Sequence, residues 1–214
     1  MDITELLNIA WASLSVCFIS TMISTVLAAP LSLLLGMKSG AAIRVARTVV
    51  TAMSNTPPIV AGLLIYMLTS RSGPLAWAGL VYSKTAMVMA QILVVTPLIT
   101  SVLFPVFLGM QNEFLETCKG LSLRKTKIYY LLFRECRYTY ASAVLIGFGR
   151  AMSEVAAVSL TGGNIRHKTR VLTTAIMLST SKGDFREALS LAAILIALVL
   201  LVNFLAGRMK GKES

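Results

Sequence analysis

Residues 6–37 read LLNIAWASLSVCFISTMISTVLAAPLSLLLGM, a run without one charged side chain. A helix that crosses the hydrocarbon of a bilayer needs about 20 apolar residues, and this run exceeds that. It follows Asp2 and Glu5 rather than a basic segment, and it is too long for the apolar core of a secretion signal. It reads as a retained membrane span. Further low-charge runs follow at 48–70, 85–112, 138–160 and 188–207, the fourth interrupted only by Arg150 and Glu154. Five spans at about 9–36, 48–70, 85–109, 138–160 and 188–207 are expected. They must be helices, because an open strand edge would leave backbone groups unpaired in lipid. The ten-residue alternation of a membrane barrel is absent.

Composition agrees. Of 214 residues, 56% are hydrophobic and 14% charged, and the mean hydropathy is +0.78. A soluble domain carries about a quarter charged residues, so this chain cannot cover a water-facing surface. The same numbers exclude a disordered chain. The expectation is an all-α polytopic membrane protein, a single domain over 1–214, without an internal repeat or a Gly/Ser linker.

The net charge is +11. Its basic residues sit between apolar runs, where they set orientation, and the aromatic-basic stripe of a nucleic-acid binder is missing. Cys17, Cys118 and Cys136 fit no zinc spacing, and His167 is the only histidine, so no metal site is expected. With five spans, one side holds Lys38, Arg44 and Arg47, then Lys119, Arg124, Lys125, Lys127, Arg134 and Arg137, then Arg208, Lys210 and Lys212. The other holds Arg71, Lys84, Arg166, Lys168, Arg170, Lys182 and Arg186. Twelve against seven puts the first group in the cytoplasm, with the N-terminus outside. If the fourth run dipped in and returned, the count would be fourteen against five. The length of that run and the basic tail abutting the last span favour crossing. Trp11, Tyr66, Trp77 and Tyr82 fall near the expected interfaces.

The loop at about 111–136 reads as two short helices joined at Gly120, with Ser122 as a candidate cap. Glu113 and Glu116 precede the glycine. Beyond it Leu121, Leu123, Ile128, Leu131 and Leu132 alternate with Arg124, Lys125 and Lys127. An amphipathic helix on the membrane surface and a protein-docking segment both fit this pattern. Within the second span, Asn55-Thr56-Pro57-Pro58 interrupts the hydrogen-bond ladder. Either the span kinks there, or a half-helix starts at Pro57, capped by Thr56 or Asn55, with its positive end inside the bundle. Thr96-Pro97 in the third span is a weaker version. Arg150 and Glu154, four apart, share a helix face and can pair, as a structural bridge or beside a transport path. Thr161-Gly162-Gly163-Asn164 ends that helix in a turn, a plain one or an anion-binding nest of backbone N–H groups.

An acidic residue a few positions before a glycine, with a basic-apolar helix after it, resembles the EAA loop of ABC importer permeases. The match is partial. Phe114 stands where that family has its Glu, Leu115 and Glu116 where it has an Ala-Ala pair, and Phe133 where it has the closing Pro. The stretch Gly149-Arg150-Ala-Met-Ser153-Glu154, then Gly162-Gly163-Asn164-Ile165, then Thr169-Arg170-Val-Leu-Thr173-Thr174-Ala175-Ile176 is similar to the permease of tungstate ABC importers. The wider sulfate/molybdate permeases share its first part.

The resemblance implies a type I importer permease in the cytoplasmic (inner) membrane, acting as a homodimer with a cytoplasmic ATPase and a periplasmic or lipid-anchored substrate-binding protein. ATP and Mg would sit on the ATPase, since this chain lacks a Walker A loop and carries no cofactor of its own. The chain would not be an enzyme. The coupling residues would be Glu113, Glu116, Gly120 and Arg124. The path would take Asn55, Thr56, Pro57, Arg150, Ser153 and Glu154. Gly162, Gly163, Asn164, Arg166, Lys168 and Arg170 would form an outer anion entrance. Tungstate is the first expectation, molybdate or sulfate the alternative. A secondary anion transporter is the reading from another class, and it leaves the long basic loop without a purpose.

Overall fold

The computed structural model describes residues 3–120 and 125–210, with side chains for all of these except 111–120, 125, 126, 129 and 205–210. Among the described residues there are α-helices and one 3-10 turn, and no strand. The helices are α1 (Ile3–Met37), α2 (Ala41–Ser54), α3 (Pro58–Thr69), α4 (Lys84–Gly120), α5 (Lys125–Glu135), α6 (Arg137–Met152), α7 (Ala156–Gly162), α8 (Leu172–Ser181) and α9 (Phe185–Lys210). Within the described residues, three helical stretches are long and apolar enough to cross a bilayer: Ile3–Met37, Lys84–Met110 and Phe185–Phe204. Two helix pairs pass the same test only jointly, α2 with α3 and α6 with α7, bent by 95° and 59°. Counting each pair as one gives five crossings.

The bends correct the expected spans. The second run is not one kinked span. Its helix begins at Ala41, so Arg44 and Arg47 belong to α2 rather than to a loop, and the chain turns through nearly a right angle at 55–57. Pro57 is the N-cap of α3 and Pro58 its first residue, because a proline lacks the N–H that a helix interior needs. Neither Asn55 nor Thr56 caps α3. The Asn55 amide donates back to the Thr51 carbonyl and the Thr56 hydroxyl to the Ala52 carbonyl, both on α2. The third span runs on through Pro97 and Pro105 to Gly120, absorbing the first of the two short helices expected in the loop. Ser122 and Arg124 lie outside the described residues, as do the side chains of Glu113 and Glu116. The stretch before the last span is not a loop alone, since it contains α8.

Packing centres on two parallel helices. Along α1, Ser20, Ser24, Ala28, Ser32 and Gly36 recur every four residues and are buried. Along α4, Met87, Gln91, Val95, Ile99, Leu103 and Phe107 recur with the same period, each 0–2% exposed. Ser20 meets Gln91 and Gly36 abuts Phe107, so a ridge of small residues receives a ridge of large ones. In lipid, where no hydrophobic force drives helices together, such close approach supplies the association energy. Gly62 presses α3 onto Ala157 of α7, and Gly147 presses α6 onto Ile99 of α4. The C-terminal end of α1 is closed by Arg47, whose guanidinium donates to the carbonyls of Leu35 (2.7 Å) and Lys38 (2.8 Å). Those are among the last carbonyls of a helix, which have no partner within it.

Candidate functional site

Three helix ends meet deep in the bundle: the C-terminus of α6 and the N-termini of α7 and α8. No proline causes the break at 153–155. The Glu154 carboxylate accepts the N–H of Ala157 at 3.1 Å and so restarts the chain as α7. The Glu154 carbonyl accepts the Thr173 hydroxyl at 3.0 Å, which ties in α8. The first N–H groups of α8 are met by the Thr174 hydroxyl for Val171 and by the Ser13 hydroxyl of α1 for Leu172. Gln91 of α4 accepts from Ser20 at 2.6 Å and donates to the Ala151 carbonyl at 3.0 Å in the last turn of α6. Irregular backbone survives at membrane depth only where protein or a wet cavity receives it, and here side chains do so.

Arg150 and Glu154 pair at 3.7 Å across that break. Glu154 is buried, whereas the Arg150 side chain is 37% exposed. Ser153 is exposed, and so are Asn55, Thr56 and Pro57 at the other break. Gly62 touches Ala157, and Pro58 and Ser153 each stand one turn earlier, so the two breaks lie at a similar level. Polar side chains beside both breaks are thus exposed on the chain. Polar groups at that depth face a bundle interior, a partner or a water-filled cavity.

The residues 162–170 form a tight turn that spends its donors internally. Gly163, left-handed at φ 65°, donates its N–H to Ser159. The Thr169 hydroxyl donates to the Gly162 carbonyl and accepts from Ile165 N–H. The Ile165 carbonyl receives the N–H groups of Lys168, Thr169 and Arg170. Arg166 is bound bidentately by Glu5 at 2.8 and 2.7 Å, which staples the turn to the first turn of α1. Arg170 lies 3.6 Å from the same carboxylate and donates to Asn164 at 3.2 Å. Lys168 is exposed, and Lys84 at the start of α4 joins it and Arg170 around a cavity of about 140 Å³. The residues named from sequence for the outer entrance therefore divide, with Arg166 engaged by a carboxylate and Lys168 presented outward.

Glu5, Gln91 and Lys84 were not singled out by the sequence. Glu5 had a signal, an acid at the head of a long apolar run. Gln91 had one too, as the lone amide within the expected third span, 85–109. Lys84 read only as a span boundary. Of the coupling residues, Gly120 ends α4, while Arg124 and the side chains of Glu113 and Glu116 fall outside the described residues.

Residues 28–211 match the sequence family described as binding-protein-dependent transport system inner membrane component. The chain is 33% identical over 217 residues to a Haloferax volcanii protein named probable anion ABC transporter permease protein, covering 99% of this chain and 94% of that one. It is 31% identical over 199 residues to the tungstate uptake system permease protein TupB of Peptoclostridium acidaminophilum, 93% of this chain and 87% of that one. Its identity to the protein of the same name in Campylobacter jejuni is 30% over 167 residues, 78% and 70% of the two chains.

Proposed function

The chain belongs to the family of binding-protein-dependent transport inner membrane components, and from that premise we propose that it is the membrane-spanning subunit of an ATP-driven importer of an oxyanion, tungstate first. The observation that carries a transport role is the pair of helix breaks at 55–57 and 153–155, with exposed Asn55, Thr56 and Ser153 and half-buried Arg150 beside them. A dianion cannot cross a dry, low-dielectric core. It needs a wet path with dipoles and a positive charge that is not spent on a tight partner, and Arg150 at 3.7 Å from Glu154 is such a charge. The tungstate assignment is supported by the TupB relatives, and sulfate permeases at 24–28% identity are the alternative.

A second copy of the chain would complete the path, since these polar groups lie on a surface. The segment 111–136, with Glu113, Glu116, Gly120 and Arg124, would dock a cytoplasmic ATPase that holds ATP and Mg. The end carrying Glu5 and residues 162–170 would meet the substrate-binding protein. Tungstate uptake by cells lacking the gene, with molybdate and sulfate as competitors, tests the reading. Uptake is expected to vanish and to return with the gene. Loss of sulfate uptake alone would reassign the substrate. Uptake that persists without ATP while the membrane potential is held would make the chain a secondary transporter. In the docking segment, Gly120→Val is expected to insert normally and retain about a tenth of the uptake, about 1.4 kcal/mol of lost coupling, with reduced ATPase copurification.

A further inference from the structure

Two cavities at the end of the bundle carrying Glu5 share one residue, Trp11, and differ in character. The upper one, about 140 Å³, is lined by Glu5, Asn8, Lys84, His167, Lys168 and Arg170. The Glu5 carboxylate is bound by Arg166, so the remaining charge of this cup is positive. Among the described residues no ion pair engages Lys84 or Lys168. The lower cavity is a groove of about 540 Å³ whose lining is almost wholly apolar, including Trp11, Phe18, Met22, Leu145 and Phe148. Trp11, Phe18 and Met22 are 70%, 58% and 39% exposed. They line up along one face of α1.

From Trp11 to Met22 the helix rises about 16 Å, about half of a 30 Å hydrocarbon layer and hence one leaflet. The groove is apolar along its lining, and the cup above it is cationic. Trp11 sits between them, where an amphipathic ring belongs at the headgroup boundary.

We propose that this end of the bundle holds one anionic phospholipid, its phosphate in the cup beside Lys84, Lys168 and Arg170 and one acyl chain along the α1 groove from Trp11 to Met22. The lipid bridges α1, α4 and the turn at 162–170, and so stiffens the end at which a substrate-binding protein would arrive. The site does not depend on the identity of the transported anion.

The chain has two tryptophans, and Trp77 lies in the exposed 3-10 turn away from the groove. Trp77→Phe therefore leaves Trp11 as the only indole. The purified protein is placed in vesicles of phosphatidylcholine with a small fraction of either phosphatidylglycerol or phosphatidylcholine brominated on its acyl chains, and Trp11 fluorescence is read. The brominated phosphatidylglycerol should reach half-maximal quenching at about a thirtieth of the mole fraction that brominated phosphatidylcholine needs, as two basic residues near an anionic headgroup imply. Lys84→Gln with Lys168→Gln should abolish the difference, as should high salt. Equal quenching by the two lipids would overturn the proposal. So would loss of the difference in millimolar tungstate, which would make the cup an inorganic oxyanion site. Shielding of Trp11 from both lipids would overturn it too, since a second copy would then cover the groove. The comparison of the two lipids needs only Trp77→Phe and stays readable if the lysine variant fails to fold.

Discussion

At position 62 one added carbon would lie 2.6 Å from the Ala157 Cα, a contact with backbone that no side-chain rotation can relieve. Gly62→Val is expected to push α3 off α7 and to cost about 3 kcal/mol, read as a lower melting temperature of the detergent-solubilised protein. Gly109→Ala is the control, since nothing lies within 4 Å of its added carbon, and melting there should be unchanged or raised. Glu154 has a separable structural duty. Its carboxylate meets the Ala157 N–H, so Glu154→Ala should cost about 1–2 kcal/mol, as the loss of a helix cap does. Glu154→Gln keeps an acceptor oxygen and should retain most of the stability. If the charge also serves the path through Arg150, uptake will fall in the Gln variant while its melting temperature holds. Equal melting of the Ala and Gln variants would remove the cap. The pairing of Arg150 with Glu154 was legible from a spacing of four. That the pair spans a break was not, because no proline or glycine marks residues 153–155.

Among the elements, α2 shows most clearly what hydropathy misses. It turns 95° away from α3, and none of its residues is buried against the bundle. Arg47 holds it to the end of α1 through two carbonyls. Arg47→Ala should release them at a cost of about 1.5–3 kcal/mol, the usual worth of a hydrogen bond to a charged group. Amide exchange across 41–54 should then quicken more than across α4. Uniform exchange in both segments would show that Arg47 does not anchor α2. The stripe Ser20, Ser24, Ala28, Ser32, Gly36 was in plain view in the first run, with the period of four that small-residue interfaces use. Its meaning appears only when the ridge from Met87 to Phe107 lies against it. Ten residues, 172–181, were too short to register as a membrane element, and they form α8 only because Ser13 and Thr174 satisfy its first N–H groups.

For the whole molecule, the charge asymmetry makes a prediction about sidedness. The Glu5–Arg166 pair brings the head of α1 to the turn after α7, so the N-terminal end and residues 163–170 share one side. Lys182 is exposed at the end of α8. Lys182→Cys should react with an impermeant maleimide in intact cells, whereas protection there would put this end in the cytoplasm and reverse the reading. Membrane class, the five low-charge runs and the family motifs of the last third were determined by the sequence alone, because they rest on composition and local order, which a chain carries in any conformation. Which runs stay straight, which break, and which polar residues meet at the breaks were decided by the tertiary structure. A broken helix survives in lipid only when distant side chains such as Ser13, Gln91 and Thr173 take up its unpaired backbone groups, and that partnership does not exist until the helices are packed.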